Sequence, residues 1–247
     1  FILLVMSSLT SNTVITLYGY SFFPKEFSLE AYQYIWNERA QIFRAYGITI
    51  LVTAAGTTAG LCLTILYAYA LSQPEFPGKT FFAFFLFFTM LFNGGMLAWY
   101  LICTQYLGLK DNMWAMILPY CMNVFNMYLM RNFFKGLPYE LVESAKIDGA
   151  GHFRILLQVI LPLSKAGVVT IALFYALQYW NDFYLPLMLI NKDNLFSIQY
   201  ILYKMMSNIQ YLASNPTGAM ASHVILPTQT IKMAITCIAI GPIILCY

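Results

Sequence analysis

The sequence predicts an all-α membrane protein with six transmembrane helices, the first and last of them truncated. Three observations carry this expectation. Of 247 residues, 60% are hydrophobic and only 9% are charged, whereas a soluble domain carries about 25% charged residues. A soluble fold of this size cannot cover its surface with so few solvated groups. Second, the charges lie between long uncharged runs. Each run is near the roughly 20 apolar residues that a helix needs to cross a ~30 Å hydrocarbon core. Third, the chain opens and closes inside apolar runs. Phe1 to Met6 carries no initiator methionine and no charged lead, and Tyr247 ends another run in mid-span. The N-terminal run is not a signal peptide, since it lacks a charged n-region and a small-residue cleavage site.

The uncharged runs place the spans. About Tyr46 to Leu71 forms one, between Arg44 and Glu75. Lys79 to Lys110 encloses the next, dense in phenylalanine from Phe81 to Phe92 and broken by Asn93-Gly94-Gly95. Asp111 to Arg131 encloses a third, with Pro119, Asn123 and Asn126 inside it. A fourth runs from about Lys165 to Ile190 around Asp182, and a fifth begins near Ile231. The N-terminal remnant makes six. Tyr18 to Arg44 is polar and aromatic, as expected of a short helical cap outside the bilayer. Met205 to Thr230 is too polar for hydrocarbon, where each unpaired group costs several kcal/mol. It is expected to be an extramembrane loop with a turn at Ala213 to Gly218. Lys and Arg are equally divided between the two sides, so the positive-inside rule does not orient the chain.

Several function classes are disfavoured. A net charge of +3 carried on scattered basic residues does not point to nucleic acid. Cys62, Cys103, Cys121, Cys237 and Cys246 form no CxxC pair and read as small core or lipid-facing residues. His152 and His223 stand apart without metal-ligand spacing. Gly78-Lys79-Thr80 is similar to the end of a phosphate-binding loop, but Gln73 occupies the position of its first glycine. No convergent nucleophile and base is visible, so the chain is expected to be non-catalytic, with no metal and no cofactor of its own.

The segment from Leu137 to Gly151 breaks the membrane pattern. Pro138 suits a helix's first turn. Glu140, Glu143 and Lys146 recur at helical spacing, with Leu141 and Ala145 on another face. Asp148-Gly149 closes the helix, because glycine readily takes a left-handed C-terminal conformation. A second short helix is expected from about Gly151, with Leu161-Pro162 at the start of the next span.

These residues carry a resemblance. Glu143-Ser144-Ala145, then Gly149, then Leu161-Pro162 resemble the EAA signature of binding-protein-dependent ABC transporter permeases. Ser144 replaces the first alanine, and Val159 stands where isoleucine is usual. Asp148-Gly149-Ala150 looks like the form found in sugar permeases. Trp180-Asn181-Asp182-Phe183 with Pro186 is similar to the W-N-x-F…P segment of maltose-type inner subunits. Phe92 to Gly95 and Asn132-Phe133-Phe134 are similar to the oligosaccharide branch, and the likeness runs from about Phe22 to Tyr247.

The resemblance implies a type I ABC importer permease in the bacterial plasma membrane, a single transmembrane domain over residues 1–247. Residues 131–164 would be a cytoplasmic coupling loop and 191–230 an extracytoplasmic loop. A second permease, two copies of an ABC ATPase and an extracytoplasmic solute-binding protein are the implied partners, with lipid around the spans. ATP and magnesium would be bound by the ATPase, not by this chain. Glu143, Ser144, Ala145, Asp148, Gly149, Ala150, Leu161 and Pro162 would dock it. The implied cargo is a sugar or oligosaccharide. Asn123, Asn126, Asn181 and Asp182 either line the solute path or have a structural use, the asparagines hydrogen-bonding between helices and Asp182 standing near the outer interface. Tyr175, Tyr179 and Trp180 either stack on sugar rings or form an interfacial belt.

Overall fold

A computed structural model describes residues 2–23, 26–37, 39–214 and 228–246. Most of the expected turn at Ala213 to Gly218, and His223, lie outside the described residues. In chain order the helices are α1 (Ile2–Ser8), α2 (Asn12–Tyr18), α3 (Glu30–Asn37), α4 (Arg39–Ser72), α5 (Lys79–Leu91) and α6 (Gly95–Leu101). There follow α7 (Trp114–Ile117), α8 (Val124–Lys135), α9 (Glu140–Ile147), α10 (His152–Ile155) and α11 (Leu161–Leu163). The last are α12 (Lys165–Trp180), α13 (Tyr184–Leu189), α14 (Ile198–Ser214) and α15 (Thr228–Cys246). Wide π turns extend α6 over Ile102–Tyr106 and join α10 to α11 over Leu156–Ile160.

Residues that interrupt the apolar pattern also interrupt the helices. α4 contains no proline, keeps its charges in its first two turns, and runs unbroken for 34 residues, about 51 Å. Among the described helices it alone is long and apolar enough to cross a bilayer by itself; α5 with α6, and α10–α11 with α12, qualify as bent pairs. α5 and α6 meet at 114°. Asn93 turns the chain there, its Oδ1 accepting the Gly95 N–H at 2.9 Å, and Gly95 takes φ +83°, which its missing Cβ permits. The third expected span is divided at Pro119, which lacks a donor. Extended Asn123 then caps α8, its Oδ1 accepting the Asn126 N–H at 3.1 Å. Asp182 ends the α12 stretch. Its Oδ1 accepts from the N–H groups of Tyr184 (3.1 Å) and Leu185 (3.4 Å) and from the Tyr120 hydroxyl (3.2 Å).

The chain divides into two compact units, one of residues 1–48 with 192–247 and one of residues 49–191. The chain ends bind each other, which sequence adjacency does not reveal. In the first unit α15 presents Ile231, Ala234, Ile235 and Ile238 at helical spacing against Ala31 and Ile35 of α3. Ser8 Oγ meets Tyr32 Oη at 2.7 Å, and the Tyr46 hydroxyl donates to the Ile238 carbonyl.

One expectation needs correction here. The described part of the stretch from Met205 to Thr230 is not a loop: it continues α14 to Ser214. Ile198, Ile201, Leu202 and Met205 form an apolar stripe, the last two packed on the α3–α15 core, while Ser207, Asn208 and Gln210 stay exposed. Polar content bars a segment from hydrocarbon; it does not bar a helix that keeps its polar face outward.

In the second unit α4 approaches α12 through small residues. A Cβ on Gly56 would stand 2.5 Å from Tyr179 Cζ, and one on Gly60 would stand 2.9 Å from Tyr175 Cε1. One turn further on, Thr64 Oγ1 meets Tyr175 Oη at 2.8 Å. The two rings are buried, and their hydroxyls tie down the backbone of the broken α7–α8 segment. Tyr179 donates to the Ile117 carbonyl at 2.8 Å; Tyr175 reaches the Cys121 carbonyl and the Asn123 N–H, each at 3.3 Å. Tyr175→Phe therefore leaves buried groups without partners and is expected to destabilise the chain by about 1–2 kcal/mol, read as a lower melting temperature in detergent.

Candidate functional site

The segment between α8 and α12 builds outward from a buried anchor. Gly136 ends α8, and Val142, 4% exposed, pins α9 to the rest of the unit. Glu140 and Glu143 lie in the first turn of α9 and Lys146 in its last, each suited to the helix dipole. After Ile147 the chain closes with two bonds: the Gly149 N–H donates to the Lys146 carbonyl (2.9 Å) and the Ala150 N–H to that of Ala145 (3.0 Å). This is a Schellman motif with Gly149 at φ +76°, the position that favours glycine. α10 then starts at His152.

Glu143, Ser144, Asp148 and Gly149 come together on the exposed side of this turn, with Ala145 and Ala150 half-buried beside them. Leu161 and Pro162 do not join them. They sit at the far end of the α10–α11 helix, beyond the π turn of Leu156–Ile160. Reading the sequence did not single out Ile147, which is 86% exposed beside the turn, and left Phe153, 68% exposed, between two packing partners. Together they give the turn an apolar tip. The available signal for Ile147 was an isoleucine directly before Asp-Gly, on the side of α9 away from Val142.

Two contacts fasten the turn to the C-terminal end of α4 and the residues after it. Lys146 Nζ lies 2.8 Å from Glu75 Oε2 and 3.4 Å from Tyr139 Oη, which also reaches Glu75 Oε1 at 3.4 Å. The hydrogen bond and charge of Lys146 hold the Glu75 carboxyl below the usual carboxylate range, and the hydrogen bond to Glu75 holds the ammonium above its ordinary value. On the other side of Gly149, His152 Nδ1 meets the Tyr69 hydroxyl at 3.2 Å. The helix–turn–helix is thus held at both flanks and open at its tip.

The residues that either line a solute path or serve between helices have the following surroundings. Asn123 and Asp182 serve as helix caps, Asn126 is 2% exposed, and Tyr175 and Tyr179 are buried in the α4–α12 contact. Trp180 is half-buried; Asn181 is exposed, its amide donating to the Leu177 carbonyl at 2.9 Å. Beside Asp182 lies a cavity of about 300 Å³ lined by Asn93, Trp99, Pro119, Tyr120 and Tyr184. The rings of Trp99 and Tyr184 are 5.9 Å apart at 35°.

One long apolar helix, two bent apolar pairs and an exposed turn are the features of a membrane-spanning chain. Residues 45–247 match the family model of the binding-protein-dependent transport system inner membrane component, and the chain belongs to that family. It is 36% identical to Protein LplC of Bacillus subtilis (strain 168) over 247 residues, all of this chain and 82% of that one. It is 39% identical over 227 residues, 91% of this chain and 77% of the relative, to the polygalacturonan/rhamnogalacturonan transport system permease protein YtcP of the same strain. A crystal structure of a bacterial ABC transporter involved in the import of the acidic polysaccharide alginate superposes with a TM-score of 0.86 at 29% identity. The match covers 100% of this chain and 86% of that one. The chain is a multi-pass, non-catalytic membrane subunit of an ABC importer, a system that combines permease, ATPase and solute-binding protein.

Proposed function

We propose that this subunit imports an acidic oligosaccharide and receives its driving force through the α9–Gly149–α10 turn. The observation that supports the coupling reading is the turn itself: rigidly closed by two backbone hydrogen bonds, fastened at both flanks, and exposed at Glu143, Ile147 and Gly149. A lever must resist bending where force enters it, and this one is braced on α4 as well as joined by the chain to α8 and α12. Residues 131–164 then face the cytoplasm. Glu143 meets a basic group of the ATPase, and the apolar tip of Ile147 and Phe153 enters its cleft. Leu161 and Pro162 act as the base of the lever. ATP and magnesium sit in the ATPase, which is present in two copies, and a second, distinct permease completes the pathway.

The cargo reading draws on what YtcP and the alginate transporter are said to carry. The aromatic cavity of Trp99 and Tyr184 beside Asn93 offers a flat apolar face and an amide to a sugar ring, and is the segment of the path we assign to this chain, with Trp180 and Asn181 as further contacts. Deleting the subunit is expected to abolish uptake of labelled oligogalacturonides while leaving the uptake of neutral maltooligosaccharides by the same cells intact. Undiminished oligogalacturonide uptake in the deletion strain would rule out this cargo.

A further inference from the structure

A cavity of about 280 Å³ opens beneath α9, between the start of α5 and the end of α8, and it combines two kinds of wall. One is apolar, with Phe134 and Val142. The other carries Lys79 and Lys135. The charged groups that act on Lys79 are Lys135 and Arg131, both positive. Arg131 is held in place, its Nε donating to the Leu71 carbonyl at 3.2 Å, and Lys79 Nζ donates to the Gln73 carbonyl at 3.1 Å. The acidic residue of the neighbouring turn, Glu75, is already engaged by Lys146.

Gln73 supplies an independent observation. Gln73 lines the same cavity and is 8% exposed, and its buried Oε1 has no hydrogen-bond partner. A buried amide oxygen without a donor is costly, so a ligand hydroxyl brought against it by a turn of the side chain would remove a penalty. The cavity thus offers cations for an anion, an acceptor for a hydroxyl and an apolar wall for hydrocarbon. We infer that it holds a phosphate-bearing anion with a hydroxylated headgroup, an anionic glycerophospholipid, its phosphate between Lys79 and Lys135 and its headgroup hydroxyl on Gln73 Oε1. Basic pockets between membrane helices recognise anionic lipid in this way. The lipid would fill the space under α9 whether or not α9 meets an ATPase, so the inference stands apart from the coupling reading.

The test uses the whole importer, purified in mild detergent and analysed by native mass spectrometry after exposure to phosphatidylglycerol, phosphatidylcholine or inorganic phosphate alone. Wild type is expected to retain phosphatidylglycerol over phosphatidylcholine. The Lys79→Gln/Lys135→Gln pair is expected to lose about 30-fold in that retention, each cation being worth roughly 1 kcal/mol. The Lys79→Arg/Lys135→Arg pair keeps it. Lys135→Gln, at an exposed position, serves where the double variant is not recovered, with a loss of about fivefold. Equal retention in the wild-type and Gln variants, or equal binding of phosphatidylcholine, overturns the site. Retention of inorganic phosphate without retention of lipid assigns the cations to a free anion and overturns the lipid.

Discussion

Gly149→Asp is expected to leave the permease inserted and abundant in the membrane while solute uptake falls at least tenfold and ATP hydrolysis continues. The reasoning separates two properties of this position. Within the chain a Cβ at Gly149 meets nothing within 4 Å, so substitution causes no internal clash. Its φ of +76° strains an ordinary side chain by roughly 1–2 kcal/mol, although Asp and Asn visit that region more readily than most residues. The fold therefore tolerates the change. On the proposed coupling role, what does not tolerate it is close approach of the ATPase to a bare backbone, together with a new negative charge beside Asp148 and Glu143. Gly149→Asn, nearly the same size without the charge, separates the two causes: it should reproduce the defect where bulk decides and show a weaker one where charge decides. The measurements are membrane abundance by immunoblot, and ATP hydrolysed per solute transported by the reconstituted importer. Normal uptake at normal abundance in both variants would remove the turn from the coupling path.

The second large effect concerns stability. Gly56→Leu is expected to eliminate accumulation of the folded subunit, and Gly56→Ala to lower its stability by about 2 kcal/mol. The added Cβ would stand 2.5 Å from Tyr179 Cζ and 2.6 Å from both neighbouring ring carbons. Tyr179 cannot simply swing aside, because its hydroxyl holds the Ile117 carbonyl and its ring is 2% exposed. Either α4 moves away from α12 or that hydrogen bond breaks. Combining Gly56→Ala with Tyr179→Ala should cost less than the sum of the two single changes, since the second removes the obstacle to the first. Thermal melting of detergent-solubilised protein measures all three. A Gly56→Leu protein that accumulates and melts like wild type would show that α4 and α12 do not meet here.

How much of this was legible in the sequence differs from element to element. α4 was readable because charge, hydropathy and length agreed, and nothing interrupts it. The turn at Gly149 was readable because Asp-Gly after a helical acid–base stripe leaves the backbone few choices. The break at Asn93-Gly94-Gly95 was visible as a composition change, yet its 114° bend was not, since the angle depends on how α6 packs rather than on the residues that release it. Asn123 and Asp182 read as polar groups with either a solute or a structural use. The structure gives both a local use as caps, which sequence could not weigh against transport because a cap and a ligand contact require the same side chain. α14 was misread because polarity was taken to exclude regular structure rather than burial. The contact between the chain ends, and the cation-lined cavity under α9, bring together residues with no shared motif, and nothing in a linear reading joins Lys79 to Lys135.

The π turn at Leu156–Ile160 bears on how the segment from Gly149 to Pro162 is recognised. A π turn holds one residue more than the α-helical turn it interrupts, bulging outward instead of lengthening the rod. Between Gly149 and Leu161-Pro162, a count of residues is therefore not a measure of distance. A relative one residue shorter in this interval can place both landmarks where they stand here, simply by winding the same stretch as plain α-helix.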